Sequence, residues 1–303
     1  MPNNNQLRGV IFVAISYILW GVLPIYWKLL QHVSAQQVLC HRIVWCVVFM
    51  LLLIIISNRW KSFRLELREI FVQPQKLIGI ILSALILNMN WFIYIWAVIH
   101  NHVIEASLGY YINPLVSVIL GVVVLRERMN IWQYLAFFLA FLAVLNLTVH
   151  FGSIPWISIS LAVTFGLYGL LKKMVGAGAI TGLTLETLIM LIPALIYLIY
   201  VHQTGYGSFN TGSLTTSILL IGAGIVTAVP LLLFSSGTLS LSLTIVGFLQ
   251  YISPTLTLLL GIFLYHESFT AAHLMSFALI WIGLIIFTVS QTRALTQAVK
   301  SIV

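Results

Sequence analysis

The stretch YYINPLVSVILGVVVLRE (residues 110–127) is echoed by YISPTLTLLLGIFLYHE (residues 251–267), and from Tyr111 onward the two run at a constant offset of 140 residues. Tyr, Ile, Pro, Leu, Gly and Glu recur in place. Because the chain has only 8 prolines and 6 acidic residues, the matches Pro114/Pro254 and Glu127/Glu267 weigh more than shared leucines. Whatever the first stretch builds, the second builds again.

With 303 residues, 61% of them hydrophobic and 7% charged, and a mean hydropathy of +1.10, the chain carries more apolar surface than one water-soluble core can hide. A bilayer must be its solvent. The net charge of +8 does not point to nucleic acid, because the basic residues are scattered thinly between apolar runs and form no patch that follows phosphates. Cys40 and Cys46 lie in one apolar run and face different sides of a helix, so they imply neither a disulfide nor a metal site. Arg8 precedes an apolar stretch too long for a signal-peptide core, which reads as a retained first span.

Apolar runs of about 17–25 residues give ten spans, near 8–30, 34–57, 76–99, 104–124, 130–148, 152–171, 181–201, 214–239, 243–264 and 270–291. The connection 58–75 combines charges with periodic Phe63, Leu67, Ile70 and Phe71, the pattern of a short amphipathic helix along the membrane surface. With a cytoplasmic N-terminus, the inside segments take 12 of the 14 lysines and arginines, the outside loops take none, and Lys28 and Arg42 fall within spans. This asymmetry sets both count and orientation, with both termini cytoplasmic. The second copy of the opening motif starts five spans after the first and therefore lies upside down. The expected fold class is an all-α integral membrane protein with ten transmembrane helices as two inverted five-helix repeats. The repeats are residues 1–148 and 149–291, with a cytoplasmic tail at 292–303. A weaker echo, Trp20, Gly21 and Lys28 against Phe165, Gly166 and Lys173, runs at an offset of 145. Inverted repeats in a polytopic chain point to alternating access around a midplane site.

On the fourth span Ser107, Tyr111, Pro114, Ser117 and Gly121 share a face, and the ninth repeats it as Gly247, Tyr251, Pro254, Thr257 and Gly261. Such a face serves close helix packing or lines a cavity. Asn90 and Tyr94 form another inward stripe, since asparagine facing lipid is costly. Asn90, Tyr94, Tyr111, Gln250 and Tyr251 are the candidate lining residues, with Tyr111 and Tyr251 on opposite walls. For Asn90 the alternative is an interhelical hydrogen bond. Trp91 and Trp96 read as lipid-facing or interfacial anchors. Arg42 and Glu186 are intramembrane charges at opposite depths, which suggests two gates, and Glu105 is expected to approach Arg42 at the outer one. Lys173 is expected near Glu186. Glu127 and Glu267 read as helix-end caps. There is no H-E-x-x-H pattern, no aspartate and no G-x-x-x-x-G-K loop, which argues against an intramembrane protease, an ATPase or any enzyme. No cofactor is expected.

Taken together, WGVLPIYWK (20–28), HRIVW (41–45), NWFIYIWAV (90–98), EASLGYYINPL (105–115) and LRER (125–128) resemble the RarD-like branch of the EamA family, in the drug/metabolite transporter superfamily. The resemblance covers nearly the whole chain. It implies the ten-helix inverted-repeat fold, a bacterial inner-membrane location and export of small metabolites or drugs. The branch has no motif tied to a ligand, so no substrate residue follows from it. The expected function is a secondary transporter of the inner membrane, an exporter of neutral, zwitterionic or aromatic solutes. The alternatives are a lipid flippase or scramblase, which needs a laterally open polar groove, and a non-transporting scaffold. The expected partners are a small-molecule solute and the lipid bilayer. Proton coupling stands beside facilitated diffusion, and no oligomeric state is implied.

In a background lacking Cys40 and Cys46, a single cysteine at Ser62 should label only from the cytoplasmic side and one at Asn210 only from outside. Labelling of both from one side would show that the ten-span inverted arrangement is wrong.

Overall fold

The computed structural model describes residues 4–125, 131–210, 213–238, 241 and 249–300, and every regular element among them is helical. In chain order these are α1 (Asn4–Leu29), α2 (Ala35–Ile56), α3 (Trp60–Val72), α4 (Pro74–Ile99), α5 (Val103–Leu125) and α6 (Ile131–Phe151), then α7 (Trp156–Val175), α8 (Ala179–Gln203), α9 (Leu214–Thr238), α10 (Ile252–Leu259) and α11 (Ala271–Lys300). Helix stands at each expected span. The described part of the ninth is α10, which ends in a π-helical turn, Leu260–Leu264; residues 242–248, Gly247 among them, lie outside the described residues. Among the described residues seven helices are long and apolar enough to cross a membrane, and shorter apolar helices run over Trp156–Lys172 and Ile252–Leu264. The last helix continues to Lys300, beyond the expected end of its span at 291.

The connection between α2 and α4 is helical as its periodicity requires. Phe63 and Ile70 are buried, and Leu67 and Ile70 pack with Ile80, Val175 and Leu185 of α4, α7 and α8. Phe71, about 100° further round the helix than Ile70, is instead exposed together with Trp60, Leu65 and Val72. Three of the four periodic residues thus serve the protein core, and a different set of apolar side chains faces outward.

α6 lies along α11, α5 along α7 and α10, and α4 along α7 and α8; α2 lies along α8 and α9, and α1 along α9 and α10. Nearly every such pair carries a polar clasp. Asn90 donates to the Leu161 carbonyl and to Thr164, joining α4 to α7. Asn146 donates to the Ala272 carbonyl and to Ser276, which itself donates to the Ala143 carbonyl, joining α6 to α11. Ser158 donates to the Glu105 carbonyl and Ser107 to the Pro254 carbonyl. Tyr26 donates to the Leu219 carbonyl. Residues 28–37, 100–105, 202–217 and 265–273 meet at one end of the bundle, through Lys28–Asn101, Gln37–Tyr206, His32–Thr216 and Glu267–Val103. The opposite end joins Glu66 to Gly178 and Lys172 to Glu186.

The α2/α9 pair is held by close approach. A Cβ at Gly224 would overlap the Trp45 backbone and lie 2.6 Å from the Cys46 nitrogen. Gly224→Ala should therefore lower stability by about 1–3 kcal/mol through overpacking, read as a drop in the unfolding midpoint in detergent. Gly169→Ala, with nothing within 4 Å of the added carbon, should leave the midpoint unchanged or slightly raised.

Candidate functional site

α2 starts from Ser34, whose side chain accepts a hydrogen bond from the Gln37 N–H. Seven residues beyond the helix start, about 10 Å along the axis, stands Arg42, only 5% exposed. Its guanidinium lies 3.9 Å from the Trp91 ring centroid and 5.1 Å from that of Trp27. None of the ion pairs among the described residues includes Arg42. Nε and Nη1 of Arg42 have no hydrogen-bond partner, and neither does Nε1 of Trp27. An arginine at a helix centre costs about 2.5–3.5 kcal/mol on insertion scales, and a desolvated cation–π contact returns about 2 kcal/mol. The two indoles therefore offset the charge while leaving its N–H groups unmet.

The expected approach of Glu105 to Arg42 does not occur. Glu105 sits in the first turn of α5, where His102 Nδ1 reaches its Oε1 at 2.8 Å; a partner three residues away on the same helix start is nearer than any on α2. None of the other described acidic residues pairs with Arg42. Glu69 pairs with Lys76 at 2.5 Å, Glu66 lies against Gly178, and Glu127 is outside the described residues. Glu267 accepts the Val103 and Ile104 N–H groups at 2.7 and 2.8 Å, capping α5 as expected. Burial pushes its carboxyl up from the ordinary range, with the two amides acting the other way.

Glu186 is fully buried. Lys172 Nζ lies 3.2 Å from its Oε1, and the Tyr168 hydroxyl donates to Oε2 at 3.1 Å. Lys172 is thus the described partner of Glu186; the Lys173 side chain, expected nearby, lies outside the described residues. Gly182 makes the room: a Cβ there would overlap Lys172 Nζ. Glu186 is the eighth residue of α8, as Arg42 is of α2.

The expected lining residues divide among contacts. Asn90 is spent on α7, the interhelical alternative. Tyr94 is buried and meets Tyr110 edge-on at 5.6 Å. Tyr111 and Tyr251 do not face each other across a space. They stack at 6.1 Å and 15°, with the Tyr111 hydroxyl 2.6 Å from Thr255 Oγ1. Equivalent residues near the crossing of two equivalent helices have to meet. Gln250, directly before Tyr251, is partly buried. Two hollows open elsewhere: an apolar crevice of about 490 Å³ between α1 and α10, lined by Val22, Leu256 and Phe263 among others, and a groove of about 250 Å³ between the start of α2 and the end of α8, beside Gln37, His41 and His202. Trp91 is buried, 7% exposed, against Arg42 and is no lipid anchor. The spacing of Trp91 from Asn90 and Tyr94 held no hint of Arg42; tryptophan beside an unpaired intramembrane arginine is the signal that was there to read.

Residues 7–149 match the EamA-like transporter family. The chain is 44% identical over 293 residues to the uncharacterized transporter YojE of Bacillus subtilis, covering 97% of both chains. It is 40% identical over 287 residues to protein RarD of Escherichia coli, covering 95% of this chain and 96% of that one. The chain is a RarD-like member of the EamA transporter family. A solved structure titled "Crystal structure of protein" matches the fold at TM-score 0.59 and 16% identity, over 94% of this chain and 98% of its own. The protein is accordingly a multi-pass membrane transporter of bacterial type.

For this EamA protein, Lys172→Met should cost about 3–5 kcal/mol by stranding the Glu186 carboxylate. Adding Glu186→Gln should recover most of that loss in detergent unfolding midpoints. Additive losses would show that the two groups are not coupled.

Proposed function

We propose that the protein is a secondary transporter of the bacterial inner membrane that exports a small solute by alternating access between two inverted five-helix halves, residues 1–148 and 149–291. One observation carries this reading. If α1, α2, α4, α5 and α6 are exchanged for α7, α8, α9, α10 and α11, the more extensive helix pairs map onto one another: α5·α7 becomes α10·α1, α4·α7 becomes α9·α1 and α2·α9 becomes α8·α4, while α2·α8, α5·α10 and α6·α11 are unchanged. Halves that pack interchangeably can exchange conformations, which closes one side as it opens the other. Lys28 is the only lysine or arginine in the segments gathered at that end, and so sparse a basic content there supports cytoplasmic termini at the other.

In this reading Arg42 with Glu105 marks the outer side and Glu186 the inner one, while Asn90, Tyr94, Tyr111, Gln250 and Tyr251 line the path once the helix crossings part. The purely apolar crevice between α1 and α10 is unlike the polar lateral groove of a lipid flippase, and a scaffold has no need of a buried arginine. Cells with and without the protein should differ in the medium content of a small solute. Proteoliposomes should then move that solute, and imposing a pH gradient separates proton coupling from facilitated diffusion. No solute difference in cells, with lipid translocation in vesicles, would replace the reading by the flippase.

A further inference from the structure

Resting on the transporter reading, we propose that Arg42 is the substrate-binding cation of the path and that it takes the carboxylate of an organic monocarboxylate with a planar or apolar body. Arg42 Nε and Nη1 and Trp27 Nε1 are buried donors without an acceptor, so the group that completes the site accepts hydrogen bonds and carries negative charge. A carboxylate does both, and arginine binds it in a fixed planar geometry. The surroundings define the rest of the molecule. Trp27, Trp91, Tyr94 and Tyr110 present ring faces and edges, which suit an aromatic or branched apolar body.

The equivalent position in the other half shows what is missing. Arg42 and Glu186 occupy the same register of α2 and α8, and at the offset of 145 that relates their preceding helices, Trp27 stands where Lys172 stands. Glu186 finds its counter-ion in Lys172. Arg42 finds an indole. One half supplies both charges of its pair, and the other supplies one and leaves the second to the solute. Single charge follows from a single unpaired arginine. Among the described residues no carboxylate pairs with Arg42, which leaves an α-ammonium without an ionic partner and favours simple monocarboxylates over amino acids.

The test uses the full-length protein in lipid nanodiscs and a panel of arylalkanoic and branched-chain monocarboxylates, each paired with its neutral amide and its α-amino acid. Thermal stabilisation at millimolar concentration is the readout. At least one acid should stabilise the protein while its amide does not, with the amino acid weaker than the acid. Arg42→Gln should weaken that acid roughly 10- to 100-fold, and Arg42→Lys should weaken it less. Acids no better than their amides in the wild-type protein, a result that needs no variant to fold, would overturn the proposal, as would an Arg42→Gln protein that binds the acid unchanged. An amino acid that binds more tightly than its acid would overturn the monocarboxylate assignment. Because binding is read without transport, acid binding in a protein that moves nothing across vesicles would count against the transporter reading alone.

Discussion

A bilayer offers no water to unsatisfied polar groups, and the packing of this protein follows from that exclusion. Without a hydrophobic gradient between lipid and helix, association rests on close contact and on hydrogen bonds between helices. Both devices are present. Gly224 lets α9 touch the backbone of α2, and Asn90, Asn146, Ser107 and Ser158 each reach a carbonyl on a neighbouring helix. Side chains that in isolation look like substrate contacts are thereby consumed by assembly.

Against that background Arg42 stands apart. It is buried as deeply as the clasps, yet two of its nitrogens are unmet, while Glu186 at the same register of α8 is held by a lysine and a tyrosine. At the eighth residue of α8 the charge is met within the protein, and at the eighth residue of α2 it is left open. The aromatic rings around Arg42 make its charge tolerable but not complete.

The positions of the helices were legible because hydrophobic run length and the placement of lysine and arginine are properties of the chain itself. The cap by Glu267 was legible for the same reason: an acid just past a helix is poised to meet a neighbouring helix start. Partner choice was not. Asn90 and Tyr111 were correctly placed inside the bundle, but period alone says which way a side chain points and nothing of which helix it meets. That Glu186 meets Lys172 follows from how the end of α7 returns to α8, which no local pattern encodes. Trp91 looked like a lipid anchor because tryptophan is amphipathic, and its use as a platform for Arg42 depends on an α2/α4 contact that no local pattern encodes.

The cap at Glu267 has a mechanical consequence. Its carboxylate holds both leading amides of α5 from the far end of the α10 segment, so parting those two ends would strand two donors and a half-buried acid together. They therefore act as a single lever on that side of the protein. On the proposed binding of a carboxylate at Arg42, the play falls instead to α1 and α4, the helices that carry Trp27 and Trp91, whose indoles cover the guanidinium and would be the latch that such a movement lifts.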